Sequence, residues 1–147
     1  MVNITVTGSV NMDLIIALER LPAAGETLLG GRTVYAQGGK GANQAVAAAR
    51  LGASSVLIGK VGDDAFGAQI RRNLAREGVD LTHLGEATGI ATGVAIIMLV
   101  HGENTIVVAR GANDMVTPED VQRAQSAIAR SDAVLCQLEV PLETVEA

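Results

Sequence analysis

Apolar positions along this chain alternate between short β-branched runs and longer stretches with a helical period. Residues 2–8 (VNITVTG) are β-branched and close on glycine, which predicts a strand. Residues 13–18 form a second apolar run, and Pro22 and Gly25 then break the chain. Residues 27–37 (TLLGGRTVYAQ) mix polarity around a glycine pair and predict a twisted, partly exposed strand pair. Residues 41–51 (GANQAVAAARL) are rich in alanine and predict a helix closed by Gly52. A strand follows over 55–61. Residues 64–77 place Phe66, Ile70 and Leu74 on one helical face, with Gly78 as the stop. Two more apolar runs, 93–100 and 104–109, flank His101-Gly102-Glu103, a hairpin signal. Thr117, Pro118, Glu119 and Asp120 open another helix, with Thr as cap and acids at the positive end of the dipole. Residues 133–138 predict a strand, and Pro141 begins a further helix.

This order predicts an α/β fold with a mostly parallel central sheet flanked by helices. The segments at about 13–37 and 93–110 do not fit inside such a sheet and are expected to project from it as a small separate one. The chain ends on a helix start with no strand after it. A doubly wound sheet is expected to continue beyond that point, so residues 1–147 are expected to form the N-terminal part of one larger domain.

Composition narrows the function classes. The hydrophobic fraction is 48%, enough for a real core, yet the only aromatic residues are Tyr35 and Phe66. The core must therefore be aliphatic, as buried parallel strands usually are. The formal net charge is −5. That balance argues against nucleic acid, which calls for a basic face, and two aromatic rings cannot build a base-stacking platform. No apolar run reaches the roughly 18 residues of a membrane span, and residues 1–8 lack the pattern of a secretory signal. A cytoplasmic protein is the resulting expectation. Cys136, the single cysteine, sits in an apolar stretch and is expected to be an inert buried thiol.

Three segments carry candidate chemistry. Gly38-Gly39-Lys40-Gly41-Ala42-Asn43 joins an extended segment to a helix. Its glycines let backbone N–H groups approach a ligand, and Lys40 and Asn43 add a cation and an amide. It is not a Walker-type phosphate loop, which would need glycine at position 34 and a hydroxyl residue at 41, where Val34 and Gly41 stand. A plain turn into a helix accounts for the same residues. Asn11 and Asp13 follow the first strand and alternate, so both can point to one side of an extended segment. Ligands of open α/β sheets bind beyond the carboxyl ends of the strands, and a carboxylate suits a pair of hydroxyls. A turn that caps its own backbone is the competing account. Glu139 falls at the end of the last strand, at the same edge as Asp13, and is otherwise a solvated acid. Asp63 and Asp64 read better as a helix cap than as a site. His83 and His101 have no neighbours at metal-ligand spacing, and no Ser sits in a nucleophile elbow.

In order along the chain stand GSVNMDL (8–14), PAAGET (22–27), GGKGANQAVAAARLGA (38–53), GKVGDDAFG (59–67), EGVD (77–80), TGVA (92–95), GENTIV (102–107), GAN (111–113) and QLEVPLETV (137–145). Together they closely resemble the ribokinase-like (pfkB) carbohydrate kinases, over essentially the whole chain. The resemblance implies transfer of the ATP γ-phosphoryl group to the 5-hydroxyl of D-ribose or to another small sugar or nucleoside. It assigns sugar contacts to Asn11, Asp13, Gly39, Lys40, Asn43 and Glu139. It implies that the small sheet is a lid over the sugar and the contact of a homodimer. It also implies hinges near Gly38-Gly39 and Gly111. It further implies ATP, Mg2+ and a monovalent cation (K+) as cofactors of the complete enzyme. The family's Gly-Ala-Gly-Asp motif, with its general-base Asp, does not occur in residues 1–147, and neither do the nucleotide and cation sites. The chain alone is therefore expected to be inactive, a sugar-binding or dimerisation fragment whose cheapest test is the reading frame downstream.

Overall fold

The computed structural model describes all residues, 1–147. Two four-stranded sheets organise the chain. The first contains β1 (Asn3–Thr7), β4 (Ser54–Gly62), β5 (Leu84–Ala87) and β8 (Ala133–Cys136) in the order β5-β4-β1-β8, all parallel. Helix α1 (Lys40–Arg50) precedes β4 and α2 (Ala65–Arg76) precedes β5. The second sheet contains β2 (Asn11–Leu18), β3 (Thr33–Gly38), β6 (Gly93–Val100) and β7 (Glu103–Ala109) in the order β3-β2-β6-β7. Only the β2–β6 pair is parallel there.

The core lies between the first sheet and its helices. Val6, Leu57, Val61, Ile70 and Leu74 are fully buried, and Phe66 packs against them. The α1 face toward β1 and β4 is Gly41, Ala42, Ala45 and Ala48. Such small side chains let the helix come close enough for the Ser55 hydroxyl to bond the Ala45 carbonyl at 2.9 Å. Asp64 caps α2 by accepting the Gly67 N–H at 2.8 Å. Thr117 and Asp120 cap α3 (Pro118–Arg123) reciprocally, with Pro118 in the first turn. The hairpin turns at His101, which takes a left-handed φ of 49°, and Gly102.

Four features depart from the sequence expectation. The strand expected over residues 27–37 is confined to Thr33–Gly38, and Gly30 lies against Ile16 in the loop before it. Strand β5 carries only Leu84 and Ala87 as buried residues, too few to stand out as a β pattern. The 3-10 turn Gly111–Met115 was not anticipated as an element. Cys136 is exposed, not buried. Within residues 1–147 its strand bonds only β1, and Val134 and Leu135 beside it are exposed as well.

Candidate functional site

The carboxyl end of β1 is where the two sheets meet. The chain leaves β1 at Thr7, turns through Gly8, Ser9 and Val10, and enters β2 at Asn11. Ser9 is fully buried and bonds in three directions. Its N–H donates to Gln137 Oε1 at 3.1 Å, its hydroxyl donates to Glu139 Oε2 at 2.8 Å, and the same oxygen accepts the Lys40 N–H at 3.0 Å. The Ser9 carbonyl accepts the Ala42 N–H at 3.0 Å. One serine thus ties the start of α1 to the segment after β8.

Gly39 makes that approach possible. Its φ is 91°, and a Cβ there would come within 2.6 Å of the Ser9 carbonyl oxygen and 2.7 Å of Val10 Cα. Lys40 then projects from the first helical residue, and its ammonium pairs with Glu139 Oε1. Burial alone would raise the Glu139 pKa. The bonds from Lys40 and Ser9, with the nearby Arg110 charge, overcome it and hold the carboxyl below its ordinary value.

Asp13 sits two residues into β2, beside Ala36 of β3 and Ala95 of β6. Its carboxylate fills the space next to Gly38, where any Cβ would overlap it. Burial and the charge of Glu139 push its pKa up, and no hydrogen bond offsets them. A half-buried acid without a donor, facing a second acid, is an electrostatically costly arrangement of the kind that clusters at binding and catalytic sites.

Asn11 is buried and accepts from Asn113 Nδ2 at 2.7 Å. A cavity of about 180 Å³ opens here, lined by Ser9, Asn11, Val108, Arg110, Asn113 and Glu139. Of the residues expected from sequence, Asn11 and Glu139 line this cavity; Gly39, Lys40 and Asp13 do not, although Lys40 bonds two lining residues, Ser9 through its N–H and Glu139 through its ammonium. Asp13 stands at the root of the second sheet. Asn43 lies one helical turn beyond Lys40, exposed, and lines a wider groove with Gln37, Val46 and Arg50. Ser9, Arg110 and Asn113 were not singled out from sequence. Asn113 stood in the GAN motif, but its role depends on a contact 102 residues away that no local pattern reports. No three metal-ligating side chains come together anywhere in the chain.

A parallel sheet carries a second sheet at its carboxyl edge, with a polar cleft where the two meet. The pfkB family of carbohydrate kinases matches residues 1–147, and the chain belongs to it. Within the family, the chain is 49% identical to the ribokinase of Bacillus subtilis over 98% of its length and 49% of that protein's. It is 40% identical to the deoxyribokinase of Salmonella typhimurium, over 97% of its length and 47% of that protein's. Among solved structures, Arabidopsis thaliana ribokinase complexed with ribose and ATP superimposes with a TM-score of 0.83 at 31% identity. That match covers 99% of this chain and 50% of the plant protein. The chain spans about half the length of the curated relatives it matches.

Proposed function

We propose that residues 1–147 supply the sugar-binding part of a kinase that transfers the ATP γ-phosphoryl group to the 5-hydroxyl of D-ribose. The observation that carries this reading is Asp13, a half-buried carboxylate without a donor beside Asn11 and the Lys40–Glu139 pair. A polyol supplies what that arrangement lacks. Its hydroxyls donate to Asp13 while its oxygens accept from amide and ammonium groups, and each charge-assisted bond contributes roughly 1.5–3 kcal/mol. Gly39 and Lys40 would meet the sugar at the start of α1, Asn43 from the adjoining groove that it lines with Gln37, and Glu139 from the β8 side. ATP use rests on the likeness to a ribokinase solved with ribose and ATP. ATP, Mg2+ and a monovalent cation belong to the proposed whole enzyme, whereas the residues here act on the sugar.

The second sheet would serve as the lid. Its strands set Tyr35, Leu14, Ile96 and Val107 in one register across all four strands, with Leu14 partly buried and the other three exposed, an apolar row that a second copy would cover. A homodimer through the lid, in the cytoplasm, completes the reading. The test is a coupled assay of ADP release with ribose and Mg-ATP on the protein that carries this chain. Ribose-dependent release supports the reading, and release indifferent to ribose but driven by another sugar reassigns the substrate.

A further inference from the structure

The Asn113 side chain has a fixed orientation, because one of its partners is a backbone donor. Val10 N–H points at Asn113 and donates to Oδ1 at 2.8 Å. A backbone N–H can only donate, so the atom that meets it must be the oxygen. Nδ2 is thereby turned the other way. It donates to the Arg110 carbonyl at 2.9 Å, which can only accept, and to Asn11 Oδ1 at 2.7 Å. Both ends of the Asn113 amide are set by main-chain groups of opposite kind, and the side chain is 1% exposed. Gly93 closes the arrangement. A Cβ there would overlap both amides, so the root of β6 leaves them only the room they occupy.

The orientation propagates. Asn11 must meet Asn113 with its oxygen, which leaves its Nδ2 as the group available to the cavity that both residues line. We propose that Asn113 is a positioning residue that turns the Asn11 amide so that Asn11 offers a ligand a hydrogen-bond donor and never an acceptor. This rests on the sugar-binding reading above and adds a polarity to it. The sugar oxygen at Asn11 acts as acceptor, whereas the hydroxyls at Asp13 and Glu139 act as donors. An unclamped Asn11 could flip its amide, and each flipped molecule would present its oxygen to the ligand.

The variant that tests this is Asn113→Asp. It keeps the shape and the acceptor for Val10 N–H, but replaces the donor with a second acceptor. Asn11 must then reverse to satisfy it. Ribose titration calorimetry is run on the protein that carries this chain, on Asn11→Ala, on Asn113→Asp and on the double variant. The expected result is a loss of at least about tenfold for each single variant. The double variant should match Asn11→Ala within about twofold, because Asn113 acts only through Asn11. Additive losses, or an Asn113→Asp protein with unchanged affinity, would overturn the inference. Should Asn113→Asp not fold, Asn113→Ala takes its place. It frees the Asn11 amide without reversing it, so the expected affinity loss is only about twofold. The readout is then the Asn11 side-chain amide resonance, which should shift, whereas an unchanged resonance would overturn the inference. A ligand-free readout separates this proposal from the choice of sugar. In nitrogen-15 spectra the Asn11 side-chain amide should shift and slow its exchange in Asn113→Asp, where it donates to a carboxylate. An Asn11 amide resonance indifferent to that substitution contradicts the proposal. A shifted resonance in a protein that binds no ribose upholds the clamp and sinks the sugar reading alone.

Discussion

Ser9 and Glu139, separated by 130 positions, share a 2.8 Å hydrogen bond that joins the turn after β1 to the segment after β8. The Ser9 oxygen also receives the Lys40 N–H, so removing it leaves a helix N–H and a carboxylate oxygen short of a partner. Ser9→Ala should cost roughly 1–3 kcal/mol, a fall in melting temperature of roughly 3–10 °C. It should also weaken ribose binding, because Glu139 loses one of the two groups that orient it. Thermal unfolding and calorimetry check both, and an unchanged melting temperature would contradict the three-way role of Ser9.

A methyl group at Gly38 and the Asp13 carboxylate cannot occupy the same space. Gly38→Ala should displace the acid and lower ribose affinity at least about tenfold, with roughly 1–3 kcal/mol of overpacking. Gly52→Ala is the matched control. Gly52 has a φ of 87° but nothing within 4 Å of an added Cβ, so it should lose roughly 1 kcal/mol of stability and no affinity. Equal affinity losses in the two variants would refute the assignment of Gly38 to the site.

Asp13 and Glu139 should act on stability in opposite senses. The pKa of Asp13 is raised in the folded chain, so the folded state holds this proton more tightly than the unfolded one. Its ionisation therefore opposes folding as pH rises from its ordinary value of 3.8 through its raised folded value, and the cost stays constant above that. Asp13→Asn should raise the melting temperature at pH 7, with the gain vanishing in acid below that value. Glu139 is lowered, so its contribution is present above 4.5 and is lost as pH falls below it. Melting curves from acid to neutral pH read both. An Asp13→Asn protein less stable than wild type at neutral pH would mean that Asp13 is structural.

The proposed dimer predicts that Ile96→Glu or Val107→Glu converts a dimer to a monomer in the ultracentrifuge at micromolar concentration. Ile96 and Val107 are register partners, both exposed, so either charge lands in the same apolar row. A wild-type protein that sediments as monomer would contradict the lid contact.

The sequence made the parallel sheet legible because β-branched runs and alanine-rich or amphipathic stretches alternate with glycine stops. It also exposed Asn11 and Asp13, whose spacing of two in an extended segment survives as their positions in β2. What it hid depends on distance. Asn113 acquires its role only when the β6–β7 hairpin returns the chain to Asn11. Ser9 looks like one more turn residue until Glu139 arrives beside it. Cys136 differs for another reason: within residues 1–147 its strand has β1 on one side only, which an apolar run does not record. Asn43 shares a motif with Lys40, yet its helical position places it on a neighbouring groove.

The central claim is that the cleft between the two sheets holds a sugar on the Asp13 carboxylate. Titration calorimetry of D-ribose into wild-type protein and into Asp13→Ala tests it most directly. The account predicts one site per chain, weakened at least about tenfold by the substitution while the melting temperature at neutral pH does not fall. An Asp13→Ala protein that binds ribose as tightly as wild type would contradict it.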